Sequence, residues 1–350
     1  MLAVTWHGPA DLRIDEVPEP RIQDPADAIV QVTTAAICGS DLHLWHGKIP
    51  GMRVGSPIGH EYVGVVINTG HDVTGVAVGD RVLGSFMIPC GTCWACRASD
   101  FGRCPTHRVL GFGAYTGDLD GAQAEQVRVP HASLALRRLD GDLGGLSDAA
   151  VLPAGDVLTT GWDCAVEGHI RAGDTVVVQG LGPVGLCAVR AAQHLGAAHV
   201  HGVDPDPARR ARAEKLGASA IDPTGDHPAT VLLAATAGRG ADVVLDCVGC
   251  LPALEQALST VRPGGRVSCI GILAEPAWTT AVNVHFARGI EVKFCGTANV
   301  IGRWDETLRL VGSGTFDTEG LVTHRLPLRD ALTGYQELLA RNAMKVLLIP

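Results

Sequence analysis

From about residue 161 to residue 296 the chain repeats one phrase: a short apolar run, a glycine turn, then an alanine-, arginine- and leucine-rich stretch at helical spacing. Thr175-Val-Val-Val-Gln179 leads to a helix through Leu195, and Val200-His-Gly-Val203 leads to one from about Pro207 to Leu216. Val243-Val-Leu-Asp246 precedes Leu254 to Thr260, and Arg266-Val-Ser-Cys-Ile270 follows the turn Pro263-Gly-Gly265. Strands alternating with helices must run parallel, because a helix crossing back over the sheet returns the chain in its original direction. This rhythm therefore dictates an α/β fold with a doubly wound parallel sheet, expected over residues 157–298.

The rest of the sequence does not follow that phrase. Residues 2–138 carry short apolar runs such as Ala28-Ile-Val-Gln-Val32, Tyr62-Val-Gly-Val-Val-Ile67 and Arg81-Val-Leu83, separated by Gly70, Gly75 and Gly79-Asp80, which reads as a mostly β domain with long loops. At 350 residues two domains are expected, with boundaries at 1–156 and 157–298 and a segment 299–350 returning to the first. That segment reads helix, strand and helix (Arg303 to Val311, Leu321 to His324, Ala331 to Arg341), then an apolar strand at Val346 to Ile349. The net charge of -9 has no clustered Lys and Arg, which argues against a nucleic-acid partner. No stretch of about 18 apolar residues spans a membrane, and Met1-Leu-Ala-Val-Thr-Trp-His7 lacks a secretory pattern. With 11 cysteines to keep reduced, a cytoplasmic protein is expected.

Between the first strand and helix of the parallel sheet lies Gly180-Leu-Gly182-Pro183-Val184-Gly185. Gly180 permits the tight turn, Gly182 lets backbone approach a pyrophosphate, and Gly185 lets helix and strand pack closely, so the helix N-terminus faces phosphates. Asp204 ends the next strand, where a carboxylate accepts hydrogen bonds from an adenosine ribose diol and repels a 2'-phosphate, so NAD(H) is preferred over NADP(H). Its alternative role is a helix cap in Asp204-Pro-Asp-Pro; Arg209 nearby can accept a 2'-phosphate.

Two groups of metal-type side chains lie in the β half. Cys90, Cys93, Cys96 and Cys104 form C-x2-C-x2-C-x7-C, a spacing that closes a tetrahedral zinc shell with no open position; two disulfides or an iron-sulfur cluster are the alternatives. Cys38, His60 and Asp156 come from three separated segments, Cys38-Gly-Ser-Asp-Leu-His43, Gly59-His-Glu61 and Gly155-Asp-Val-Leu-Thr-Thr-Gly161. A thiolate, an imidazole and a carboxylate can hold Zn2+ with a fourth position open, but each also has an ordinary structural role: core thiol, turn cap and helix cap.

The cysteine quartet, Cys-Gly-Ser-Asp-x-His, Gly-His-Glu and the glycine loop occur together and in order, and by them the chain resembles the zinc-dependent medium-chain alcohol dehydrogenases over essentially its whole length. The resemblance implies a GroES-like catalytic domain carrying one catalytic and one structural zinc, followed by a Rossmann domain. Cys38, His60 and Asp156 then look like the catalytic ligands, with Glu61 an adjacent carboxylate able to approach the metal. An Asp at the third position is similar to the bacterial secondary-alcohol and formaldehyde-type branch, although secondary-alcohol members often lack the quartet and several use NADP. Ser40 and His43 correspond to a proton relay, and Thr160 and Val184 to nicotinamide packing in the cleft between domains. Cys269 to Ile272, through Ile270 and Ile272, correspond to backbone contacts, and Lys345 to a basic residue reaching the pyrophosphate; taken alone it reads as a solvated lysine. The implied activity is hydride transfer between a secondary alcohol or ketone and NAD(H). An aldehyde-specialised or polyol dehydrogenase, and a non-catalytic zinc-stapled NAD-binding protein, are the alternatives. The resemblance also implies a homo-oligomer, tetramer or else dimer, with an apolar sheet edge near Lys293-Phe-Cys295 to pair between subunits.

Overall fold

The computed structural model describes the backbone of residues 1–350 and every side chain except that of Tyr115. It divides into two compact units, residues 1–156 with 299–350 and residues 157–298.

The first unit opens with a hairpin, β1 (Leu2–Gly8) and β2 (Asp11–Glu16). The Val- and Ile-rich β3 (Ala28–Ile37) then pairs antiparallel with β4 (Glu61–Thr69), which pairs with β5 (Arg81–Gly84). The one-turn helix α1 (Asp41–Trp45) sits between β3 and β4 in sequence. β6 (Gln126–Val129) joins the first residues of β3, with Val30 opposite Val127, and β7 (Leu136–Arg138) extends the sheet beyond β5. β3 and β4 alternate β-branched side chains on both faces, and Val30, Val32, Ile37, Tyr62 and Val66 are buried in one continuous core.

The second unit is the parallel sheet. Its strands are β8 (Thr175–Gln179), β9 (His199–Val203), β10 (Ser219–Ile221), β11 (Ala241–Asp246), β12 (Val261–Cys269) and β13 (Glu291–Phe294), in the spatial order β10-β9-β8-β11-β12-β13. All five pairings are parallel. Connecting helices are α2 (Val157–Glu167), which precedes β8, then α3 (Pro183–His194), α4 (Pro207–Lys215), α5 (Pro228–Ala235), α6 (Leu251–Thr260) and α7 (Val282–Arg288). The order reverses at β8, which is the switch point where open α/β sheets bind ligands. Pro263-Gly-Gly265, expected as a turn before the strand, lies inside β12. The pairing jumps there from Ala241 opposite Val261 to Val243 opposite Arg266, so the strand bulges rather than starting afresh.

Residues 299–350 return to the first unit through α8 (Val300–Gly312), β14 (Val322–Pro327), α9 (Ala331–Leu339) and β15 (Lys345–Ile349). β15 pairs antiparallel with the last residues of β3, Val346 opposite Ile37, and parallel with β14. No helix is long and apolar enough to cross a membrane among the described residues.

Candidate active site and metal centres

Three strand ends meet in the first unit, and antiparallel pairing explains why. Cys38 follows the last residue of β3, His60 and Glu61 stand at the start of its neighbour β4, and Lys345 opens β15 on the other edge. Asp156 arrives from outside the sheet on the 3-10 turn Leu152–Gly155, which Trp304 fixes by donating from its indole Nε1 to the Ala154 carbonyl at 3.0 Å. One donor atom each from Cys38, His60, Glu61 and Asp156 lies within 4.8 Å of the others, and all four side chains are buried. Cys38 Sγ is 3.3 Å and His60 Nε2 3.4 Å from Asp156 Oδ2.

The charges here are poised for a cation. Burial, and next the Asp156 and Glu61 carboxylates, push the Cys38 thiol up to about 11, so a thiolate there needs a compensating positive charge. Burial opposes a charged His60, yet Asp41 and Asp156 outweigh it and raise the imidazole well above its ordinary value. Burial likewise opposes the Asp156 carboxylate, but His60 holds it below the usual carboxylate range. Glu61 is pushed up by burial against the pull of Lys345, and its Oε2 is buried without a hydrogen-bond partner. A zinc ion fits this donor set, since it would satisfy the orphaned Oε2 and neutralise the crowded acids.

Behind the ligands stands a layer that the sequence motifs did not assign. Asp41, wholly buried, places Oδ1 3.3 Å from His60 Nδ1, while its Oδ2 accepts from Cys38 N at 3.0 Å and Gln123 Nε2 at 2.9 Å. Tyr335 Oη in turn donates to Gln123 Oε1 at 2.8 Å. A carboxylate on Nδ1 fixes the tautomer that leaves Nε2 free to ligate. Phe86 and Phe112 stand edge-on to the His60 ring, with centroids 6.0 and 5.4 Å away. Asp41 was visible inside Cys-Gly-Ser-Asp-x-His; Gln123 and Tyr335 carry no local signal.

Lys345 corrects an expectation. Read as a solvated lysine or a pyrophosphate contact, it is instead buried with its Nζ committed to Glu61 Oε1. Glu61 raises its pKa against the opposing effect of burial, and the ammonium stays charged. Ser40 occupies the N-cap position of α1 with Oγ 3.3 Å from His60 Nε2, and His43 lies one turn on, its backbone N–H donating to the Ser40 carbonyl at 3.0 Å.

The quartet lies elsewhere in the first unit. Cys93 caps the short helix Trp94–Arg97, Cys93 and Cys96 sulfurs are 3.5 Å apart, and Cys90 and Cys96 sulfurs 3.9 Å apart. A tetrahedron with Zn–S bonds of 2.3 Å has edges of about 3.8 Å, whereas a disulfide is about 2.05 Å. The separations therefore fit ligands of a single ion and not crosslinks. Backbone N–H groups of Thr92 and Cys93 draw the Cys90 thiol down to about 5, while burial pushes Cys96 up to about 12.

In the second unit the glycine loop joins β8 to α3. Gly180 has φ +80°, and a Cβ on Gly185 would stand 1.7 Å from the Gly180 carbonyl oxygen, so neither position admits a side chain. Around Gly182 the space is open, the nearest atom to its Cβ position being Arg209 Nη1 at 3.9 Å, which leaves the cradle a pyrophosphate needs. Pro183 is the first residue of α3, and Val184 follows it, half-buried. Asp204 is buried, accepting from Leu181 N and Asp206 N at 2.8 Å each. It is not the helix cap: Asp206 takes that role, accepting from Ala208 N and Arg209 N. Arg209 reaches to 3.8 Å from Asp204. Ile270 and Ile272 follow β12 at the same carboxyl end of the sheet, and Thr160 lies in α2.

Comparison with known proteins agrees with this geometry. The family model described as alcohol dehydrogenase GroES-like domain matches residues 24–138, and that described as zinc-binding dehydrogenase matches residues 183–313. The chain is 38% identical to a probable zinc-binding alcohol dehydrogenase of Mycobacterium tuberculosis over 98% of its own length and 86% of the relative's. It is 30% identical to an L-threonine 3-dehydrogenase of Bacillus velezensis, covering 96% of this chain and 95% of that one. Among solved structures it is similar to an alcohol dehydrogenase of Thermus sp. ATN1, with TM-score 0.94, 41% identity and coverage of 100% and 99%. It is also similar to 2R,3R-butanediol dehydrogenase of Bacillus subtilis, with TM-score 0.84, 27% identity and coverage of 100% and 99%. The chain belongs to the zinc-dependent medium-chain dehydrogenase family. It is an oxidoreductase of the alcohol dehydrogenase type, and its two groups of Cys, His and carboxylate donors suit zinc.

Proposed function

We propose that this enzyme interconverts a small secondary alcohol and its ketone with NAD(H) in preference to NADP(H), in the Asp-ligand branch of the family. The observation that carries the reading is the buried convergence of Cys38, His60 and Asp156 donors, with Glu61 beside them and Ser40 Oγ against His60. Cys38, His60 and Asp156 hold the ion, and Glu61 stands by as a further oxygen donor. When bound, Zn2+ supplies Lewis acidity that favours the alkoxide near neutral pH. Ser40 takes the alcohol proton and passes it toward half-buried His43, which exchanges it with water. The glycine-loop backbone holds the pyrophosphate, Asp204 accepts from the ribose diol with the lone pairs its two backbone bonds leave, and Arg209 flanks it. Ile270, Ile272, Val184 and Thr160 border the nicotinamide. Relatives named for L-threonine and 2R,3R-butanediol support a secondary hydroxyl, since each name specifies one.

Among the described residues the outer edge of β13 has no partner strand in the sheet, Phe294 on it is 51% exposed and Phe286 on α7 is 86% exposed, which supports a homo-oligomer, for which we propose a tetramer with a dimer as the alternative. The quartet's sulfur separations of 3.5 and 3.9 Å, too long for disulfides, support a reducing, cytoplasmic setting. The test is elemental analysis beside turnover. Wild-type enzyme should hold two zinc ions per chain and oxidise secondary alcohols faster than primary alcohols, aldehydes or sugar alcohols. Asp156→Asn should keep the quartet's zinc and lose turnover by at least about 100-fold. Two zinc ions with no activity on any member of the panel would sink the reading.

A further inference from the structure

At the end of the second unit's sheet remote from the glycine loop, where β8, β11, β12 and β13 begin, lies a cavity of about 140 Å3. Three guanidinium groups line it: Arg171 from the loop before β8, and Arg262 and Arg266 from the bulge of β12. The bulge brings the last two together, because three residues are looped out of the ladder between them, with Gly264 at φ +68°.

These cations are only partly used. Arg266 Nη1 serves both Glu291 Oε2 at 2.6 Å and His169 Nδ1 at 3.0 Å, while its Nε is buried with no hydrogen-bond partner. Arg262 donates from Nε to Asp242 at 2.6 Å and from Nη1 to the Pro263 carbonyl at 2.8 Å. The Arg171 guanidinium makes no ion pair among the described residues, since Asp174 accepts from the Arg171 backbone N–H instead. Three carboxylates also line the cavity and each has its own partners: Asp174 accepts from the Arg171 backbone N–H, Asp242 takes three donors, from Thr175 N, Arg239 and Arg262, and Glu291 pairs with Arg266. What remains at the cavity is the Arg171 guanidinium without an anion, while the neighbouring Arg266 keeps a buried Nε donor without an acceptor, which is costly to hold.

We propose that this cavity is an oxyanion site that recognises a phosphoryl group through Arg171, Arg262 and Arg266. Planar guanidinium forks match the oxygens of phosphate in pairs, and three of them exceed what solvation of a surface lysine provides. The volume is smaller than the roughly 300–1,000 Å3 of pockets that hold drug-sized ligands, so the occupant is inorganic phosphate or the phosphoryl end of a small monoester, not a nucleotide.

Thermal shift and isothermal calorimetry on the zinc-loaded enzyme test this, with inorganic phosphate and glycerol phosphate as probes and chloride held at matched ionic strength. Each is run with and without saturating NADH, so that phosphate at the glycine loop is told apart. The expected result is saturable binding, unchanged by NADH, weakened at least tenfold by Arg171→Ala and by Arg266→Lys, and unaffected by Arg13→Ala, an exposed arginine of the first unit. Arg171 is exposed, so its replacement leaves folding intact. Saturation by inorganic phosphate identifies the free anion as ligand, and saturation by glycerol phosphate alone identifies a monoester. No saturation by either, loss of binding when NADH is present, or affinity within twofold of wild type in either variant overturns the proposal.

Discussion

Replacing Lys345 with Met isolates what the buried ion pair beside the metal ligands does. The two side chains are 1% and 0% exposed, so solvent does not screen the charge left behind on Glu61. Breaking a buried pair by deleting one partner costs about 3–5 kcal/mol. For a unit of this size each kcal/mol lowers Tm by about 2–4 °C, so the first unit should melt about 6–20 °C lower. Zinc would offset part of this, because a divalent cation near Glu61 substitutes for the ammonium; the full loss is expected in chelator-stripped protein and a smaller one in loaded protein. The sign with pH follows from Glu61, whose pKa burial raises above its ordinary value of 4.5. A folded-state pKa above the unfolded one means that folding favours the protonated form. The stability deficit of Lys345→Met is therefore largest at pH 8 and shrinks as pH falls toward 5. Scanning calorimetry of stripped and loaded protein at both pH values is the assay, with Lys345→Met/Glu61→Gln as the double variant. The double should recover at least half of the loss. A deficit below about 3 °C in stripped protein, or one that grows on acidification, would refute the argument.

Asp204→Asn keeps an acceptor but removes the charge, and should lower kcat/KM for NADH by about 10–100-fold while raising the relative efficiency with NADPH; steady-state kinetics with both nucleotides reads this. His43→Ala should depress turnover most at low pH, where the released proton is hardest to pass on, and a pH–rate profile unchanged in shape would remove His43 from the relay. Phe294→Lys places a charge on the open strand edge and should shift the enzyme to a smaller species in light scattering coupled to size-exclusion chromatography.

The parallel sheet and the cysteine quartet were legible because each depends on residues near one another in sequence, whereas Cys38, His60 and Asp156, drawn from three separated segments, were legible through the family resemblance. A glycine loop must follow its strand directly, and cysteines that converge on one ion from a single loop must recur at short spacing. The surroundings of the metal ligands were not legible, because they are made by strand pairing across the whole chain. Gln123 reaches Asp41, and Tyr335 reaches Gln123, from segments far apart in sequence, and nothing local distinguishes them from ordinary core polar residues. Lys345 did carry a hint: it heads the apolar run Lys345-Val-Leu-Leu-Ile349, and a cation at the buried start of a strand needs an anion. Asp206 rather than Asp204 caps its helix because Pro207 is the first helical residue, which places the cap immediately before it.

The pairing of β15 with β3 has a temporal consequence. Cys38, His60 and Asp156 are all synthesised before the inserted unit, yet the strand that flanks them arrives only after residue 345 has emerged. At about 5–20 residues per second the nascent thiol waits on the order of ten seconds or more. During that interval the inserted sheet is free to fold by itself while the zinc pocket stays open on one side. The pocket's last wall is therefore set in place only when the chain is nearly complete, which makes the metal centre a late product of folding.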